Sequence, residues 1–188
     1  FSGDGAVLYV ARGAAGELQV RDGGDLAAVQ TLGGVNGANA VAVASHATDE
    51  HVYVTGSAGT LSLFTRSLTG TTLTAGPTLT QGVNGVRGLE DPTDVKVSAD
   101  GRYVYVTGGD GDSLGIFERD QATGELRFVQ QLRGREGLES PTALVEGGNG
   151  TVFVASAVGV GGTNGGLAAF ARIQAVNASL SSEAVATQ

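Results

Sequence analysis

The 188-residue sequence predicts an all-β chain built as a β-propeller, with about four blades of four antiparallel strands each. Three observations carry that reading. A strand core of the Tyr-Val type recurs four times at a pitch near 48 residues. Asp-Gly, Asn-Gly and Gly-Gly pairs punctuate the short aliphatic runs between the copies. No window holds the sustained 3.6-residue apolar period of a helix, so essentially no helix is expected.

The strand core reads Leu8-Tyr9-Val10-Ala11, Val52-Tyr53-Val54-Thr55, Val104-Tyr105-Val106-Thr107 and Val152-Phe153-Val154-Ala155, with aromatic spacings of 44, 52 and 48 residues. After a Gly-rich turn comes a second aliphatic strand: Glu17–Val20, Leu61–Phe64, Leu114–Phe117 and Leu167–Phe170. The last three close on Phe-x-Arg, at Phe64–Arg66, Phe117–Arg119 and Phe170–Arg172. A third strand follows a Thr-Gly turn, clearest at Thr123–Val129. A fourth precedes the next Tyr-Val unit, at Ala40–Ala44, Asp94–Ser98 and Ala143–Glu146. Four strands in each unit of about this length are the pattern of a propeller blade. The repeats run over about 1–44, 45–97, 98–145 and 146–180, with 181–188 as a tail or linker. Asp4-Gly5 and Asp100-Gly101 mark tight turns in which glycine supplies a positive φ.

Glycine accounts for 32 residues, more than twice its usual share of about 7%. It lacks collagen's three-residue period, and 41% hydrophobic residues suffice to bury a core. Nineteen acidic against 11 basic residues give a formal charge of −8, which repels phosphate backbones, and the arginines are scattered. Nucleic-acid partners are therefore excluded. No run approaches the roughly 18 apolar residues of a membrane span. The absence of Cys removes disulfides, thiolate metal sites and thiol nucleophiles. This acidic, cysteine-free composition suits an extracellular, cell-surface or periplasmic setting. The first residue is Phe rather than Met, which reads as a processed or trimmed start.

The run Ser98-Ala99-Asp100-Gly101-Arg102-Tyr103-Val104-Tyr105-Val106-Thr107-Gly108, followed by Leu114–Arg119 and Thr123–Leu126, resembles the lactonase-like seven-bladed propeller repeat. Repeats of that family often carry Tyr-Val-Thr-Asn; here Tyr-Val-Thr-Gly stands at 53–56 and 105–108. The resemblance covers nearly the whole chain, and its first and last copies are more degenerate. It implies the fold, and a range of activities that includes sugar-lactone hydrolases, a muconate cyclase and extracellular repeat proteins. The matched segments are the structural repeat, so no catalytic residue carries over from them.

At this pitch the sequence makes about four blades, where seven would need roughly 340 residues. An open half-ring would expose large apolar faces. The favoured reading is a piece of a longer polypeptide forming a seven- or eight-bladed ring. The others are association with another chain, including a homo-oligomer, and a closed four-bladed ring. The innermost strand of the first blade is missing.

Two loops entering inner strands share Gly-Leu-Glu-x-Pro-Thr, at 88–93 and 137–142. Propeller ligands usually bind on the face these loops form. Arg87, Glu90, Asp91, Asp94, Arg135, Glu136 and Glu139 gather there, with Asp110 and Asp112 beside them. Carboxylates opposed to guanidinium groups polarise a lactone carbonyl or hold a sugar acid. The competing and preferred reading is a structural turn whose Glu caps backbone donors. Asp94 and Lys96 are charges on an inner strand where the matching positions are Ala40 and Ala42, then Ala143 and Val145, so they face the channel or the next blade.

No cofactor is expected. Calcium at Asp110 and Asp112 is a weak candidate, because two carboxylates fall short of the six or so oxygens needed, and a bare hairpin is preferred. Gly111-Asp112-Ser113-Leu114 spells a serine-hydrolase signature without the helix or downstream His that chemistry requires. His46 and His51 read as surface polar residues, there being no further His or Cys to complete a zinc site. Gly159–Gly166 reads as a long loop, and Asn149 and Asn177 open glycosylation sequons. The leading functional expectation is a non-catalytic propeller module of a secreted or surface protein, acting as scaffold or adhesion surface. The alternatives are a sugar-lactone hydrolase and a self-assembling subunit of an extracellular filament.

Overall fold

The computed structural model describes residues 1–147, 150–158 and 164–171. The Gly159–Gly166 loop (in part), both sequon asparagines, Arg172 and the 181–188 tail lie outside them. Among the described residues, fourteen strands form four antiparallel sheets. Blade 1 holds β1 (Val7–Arg12), β2 (Glu17–Asp22) and β3 (Ala28–Leu32). Blade 2 holds β4 (Ala38–Ser45), β5 (Asp49–Gly56), β6 (Thr60–Ser67) and β7 (Leu73–Thr80). Blade 3 holds β8 (Pro92–Val97), β9 (Tyr103–Gly108), β10 (Ser113–Arg119) and β11 (Leu126–Arg133). Blade 4 holds β12 (Pro141–Glu146), β13 (Thr151–Val158) and β14 (Asn164–Ala171). The only helical segments there are two three-residue 3-10 turns, Gly13–Ala15 and Val83–Gly85.

Each sheet takes its first strand from the end of one sequence repeat and the rest from the next, so sheet and repeat are out of phase by one strand. Among the described residues, blade 1 has three strands, with β1 at its inner edge. The strands are rich in Val, Leu, Tyr and Thr, which favour pleated backbone. β5 and β9 are buried along almost their whole length, as expected for strands covered on both faces. The Asp-Gly turns are hydrogen-bonded alike. Ser98 Oγ donates to Asp100 Oδ1 at 2.6 Å, and the Tyr103 amide donates back to Ser98 Oγ at 2.9 Å. Ser2 and Asp4 repeat this at 2.6 Å, with the Val7 amide at 3.0 Å.

The core is divided among the seams between blades. Tyr9, Leu18 and Val20 of blade 1 pack on Val52, Val54 and Phe64 of blade 2. Tyr53, Leu61 and Leu63 meet Val104, Val106 and Phe117 of blade 3. Tyr105, Leu114 and Ile116 meet Val152, Val154 and Phe170 of blade 4. Among the described residues, the two outer faces have no such cover. Leu61 and Leu114 are 1% exposed, whereas the matching Leu167 of blade 4 is 69% exposed. Leu8 and Val10 are half-buried where Val52, Val54, Val104 and Val106 are fully buried. The molecule is a partial propeller.

Two arginines clamp these seams. Arg66, fully buried, donates to Glu50 Oε2 at 2.9 Å and to Asp4 Oδ2 of blade 1 at 2.8 Å. The Tyr9 hydroxyl donates to the same Glu50 oxygen at 3.0 Å. Hydrogen bonds from Ser2 and Arg66 hold the Asp4 carboxyl far below the usual carboxylate range. Burial, then the Glu50 carboxylate, pushes the Tyr9 hydroxyl up. One seam further on, Arg119 Nε donates to Tyr53 Oη at 2.8 Å, and Tyr53 donates to the Gly124 carbonyl at 2.7 Å. Burial pushes Tyr53 up to about 12. Arg119 also bonds the ring of His51, which corrects one sequence expectation. His46 remains partly exposed, but His51 is 1% exposed because the Gly124 turn closes over it.

Arg66→Ala would strand the buried Glu50 carboxylate and is expected to cost about 3–5 kcal/mol. Tyr53→Phe removes the acceptor of Arg119 Nε and is expected to cost about 1–3 kcal/mol. Urea denaturation of the full-length protein reads both.

Candidate functional site on the axial loops

The inner strands β4, β8 and β12 are neighbours and turn their starting ends to one rim. The residue before each adopts a left-handed conformation: Gly37 (φ 66°), Asp91 (φ 46°) and Ser140 (φ 48°). Its carbonyl accepts an amide at the end of the second strand, from Ser57 at 3.0 Å and Gly109 at 2.9 Å just beyond β5 and β9, and from Ala157 at 3.0 Å within the last residues of β13. A left-handed residue immediately before proline, as in Asp91-Pro92 and Ser140-Pro141, is strained, and its recurrence marks it as part of the blade closure. Leu89 and Leu138 are fully buried plugs beneath these loops. At Gly88 (φ 84°) a Cβ would stand 2.6 Å from Gly115 Cα, so only glycine lets the loop approach β10.

The structure distributes the nine candidate residues as follows. Glu90 is half-buried, with Oε1 accepting from Gln81 Nε2 at 2.7 Å and Oε2 from Gln131 Nε2 at 3.2 Å. Glu139, at the matching place, accepts the Gly137 amide at 2.9 Å. Asp112 accepts the Ser140 amide at 2.8 Å, which ties the β9–β10 turn to the next loop. Arg87, Asp91, Asp110, Arg135 and Glu136 are exposed. Among the described residues neither Arg87 nor Arg135 forms a salt bridge. Among the described residues no group of three or more acidic or His side chains converges as a metal site.

Asp94 reaches the next blade and pairs along its own strand. Its Oδ2 accepts the Leu144 amide of blade 4 at 2.9 Å, and Oδ1 lies 3.4 Å from Lys96 Nζ. Lys96 lines a cleft of about 320 Å³ together with Phe1, Tyr9, Val97 and the stretch 41–43 of β4. Further rungs cross the inner seams: Asn39 Nδ2 donates to the Pro92 carbonyl, and Thr93 Oγ1 to the Pro141 carbonyl at 2.7 Å. Sequence reasoning missed these rungs and both arginine clamps. The recurrent Phe-x-Arg, each copy one blade after a Tyr, was the available signal for the clamps.

The rim therefore combines a carboxylate held by two glutamine amides, two exposed guanidinium groups, of which Arg87 donates to the Val86 carbonyl at 3.0 Å, and an Asp–Lys pair on the adjoining strand. The lactonase, seven-bladed β-propeller family matches residues 17–138. The chain belongs to that family. A putative 6-phosphogluconolactonase from Bacteroides uniformis superposes on this lactonase-family chain with a TM-score of 0.74 at 13% identity, covering 96% of this chain and 54% of its own. The periplasmic gluconolactonase of Pseudomonas aeruginosa gives 0.67 at 23% identity, covering 91% and 48%. Kuenenia stuttgartiensis hydrazine synthase gives 0.69 at 16%, covering 91% and 44%. At these identities the likeness establishes the fold, and the chain spans about half the length of these structures. No curated protein sequence matches it.

Asp94→Ala removes the acceptor of the Leu144 amide and is expected to cost about 1–3 kcal/mol. Gly88→Ala combines a disfavoured φ with a backbone clash and should lower stability by more than about 1 kcal/mol. The denaturation midpoint measures each.

Proposed function

We propose that this chain forms part of a lactonase-type propeller that hydrolyses a sugar lactone on the axial loop rim. The family match over residues 17–138 carries the reading. In it, Glu90 is the general base that activates water, because its carboxylate is half-buried and oriented by Gln81 and Gln131. Arg87 and Arg135, both exposed and without a salt bridge among the described residues, supply positive charge to the lactone carbonyl oxygen as it becomes an oxyanion. Asp94 and Lys96 line the adjoining inner strand. The remainder of a longer polypeptide supplies the blades that cover Leu167 and Leu8. The cysteine-free, acidic composition supports placement outside the cytoplasm, and a P. aeruginosa relative described as periplasmic agrees with it.

One observation favours the scaffold reading instead. Glu139 and Asp112 are committed to backbone amides, as a turn without chemistry requires. Turnover separates the two. The full-length protein is expected to hydrolyse an aldonolactone, with Glu90→Gln lowering kcat/KM at least about 100-fold while the melting temperature holds. An inactive wild-type protein overturns the lactonase reading and leaves the scaffold. In the same protein, Leu167→Ala should cost about 2–5 kcal/mol, as a covered core leucine does. A neutral result there would mean that no blade covers it.

A further inference from the structure

β5 carries His51 into the seam between blades 2 and 3 and leaves it 1% exposed. Its Nδ1 is hydrogen-bonded to Arg119 Nη2. A guanidinium has donors only, so Nδ1 must accept and the ring proton belongs on Nε2. Nε2 faces Asp49 Oδ1 at 3.7 Å. The neighbouring charges come from every side. β10 contributes Arg119 and is followed by Asp120. The β4–β5 turn contributes His46, stacked at 6.1 Å between centroids, with Asp49 beginning β5. Asp49 also bonds His46 at 3.2 Å, so its carboxylate is shared between the two rings. Tyr53 accepts from Arg119 Nε. Gly124 closes against the imidazole: a Cβ there would stand 2.5 Å from His51 Cγ.

We propose that His51 is an acid-sensitive latch between blades 2 and 3, closed by the neutral ring and released by its protonation. A proton on Nδ1 would set N–H against N–H and two positive charges against each other in a buried seam. Either the ring or Arg119 must then leave, and Arg119 also holds Tyr53 and the Gly101 carbonyl. Burial, and after it the Arg119 charge, holds His51 below its ordinary value. The folded chain thus binds fewer protons near pH 6.5 than the unfolded chain. The latch is fully closed above about pH 6.5 and is lost as pH falls from there. The neighbouring seam offers an internal contrast, since the corresponding Arg66 is met by the Glu50 carboxylate and lacks an imidazole.

The test compares full-length wild-type protein with His51→Gln, whose amide oxygen can still accept from Arg119 but does not titrate. Between pH 7.5 and 5.5 the wild-type melting temperature should fall by at least about 2 °C more than that of the variant. Hydrogen exchange corrected for intrinsic rate should rise in residues 103–133 and not in 7–22. His46→Gln should retain the wild-type fall. Equal falls in wild type and His51→Gln would overturn the latch, as would an equal rise in exchange in both regions. If His51→Gln does not fold, the wild-type ring decides the matter by NMR. Titration of His51 below pH 6.5 supports the proposal, and titration at or above that value overturns it.

Discussion

Blades 2 and 3 of this protein are apolar on both faces, and that single constraint governs the rest. A sheet with one wet face can stand against a helix or another layer, but a sheet with two apolar faces needs a neighbour on each side. The three buried clusters are accordingly seams, each shared by consecutive blades, and none lies within a blade. Stability is then a property of adjacent pairs, much as in linear repeat proteins. The faces at the two ends lack the residues that clamp the seams between blades 1 and 2 and between blades 2 and 3. Blade 4 places Phe153 where the others place a clamp tyrosine. Blade 1 places Gly23 where blades 2 and 3 place the clamp arginine.

The inner seams join apolar area to directional bonds. Apolar contact fixes that two sheets stack but tolerates sliding, whereas an arginine fork reaching a tyrosine or carboxylate fixes register. Arg66 and Arg119 do this at one end of the blade, and the Asn39 and Thr93 rungs do it at the axis. Breaking one partner of such a buried pair costs more than the pair itself contributes, because the survivor remains desolvated.

The architecture was legible because a blade writes its period, its Gly turns and its Tyr-Val core into every copy. The expected strands at Val52–Thr55, Leu61–Phe64 and Val104–Thr107 all lie within β5, β6 and β9. What the sequence hid was pairing between copies. The bond from Arg119 to Tyr53 spans 66 residues, and no local pattern states which arginine meets which tyrosine. His51 was misjudged for the same reason, since its burial depends on a turn at Gly124 in the following blade. On the rim, repetition itself obscured function. Asp91 stands where Gly37 and Ser140 stand in neighbouring blades, so its presence reports a backbone shape. Lys96 is more informative because it breaks the repeat: its counterparts across from the strand-core aromatic are Ala42 and Val145.

That irregularity has a practical side. Lys96 carries the only side-chain amine in the 188 residues, is 44% exposed, and sits on the strand nearest the axis. With the α-amine blocked, amine-directed chemistry would thus place a spin label or fluorophore at a single side chain among these 188 residues, inside this half of the wheel. The bore of the assembled molecule becomes a length that spectroscopy can gauge without engineering a new attachment point.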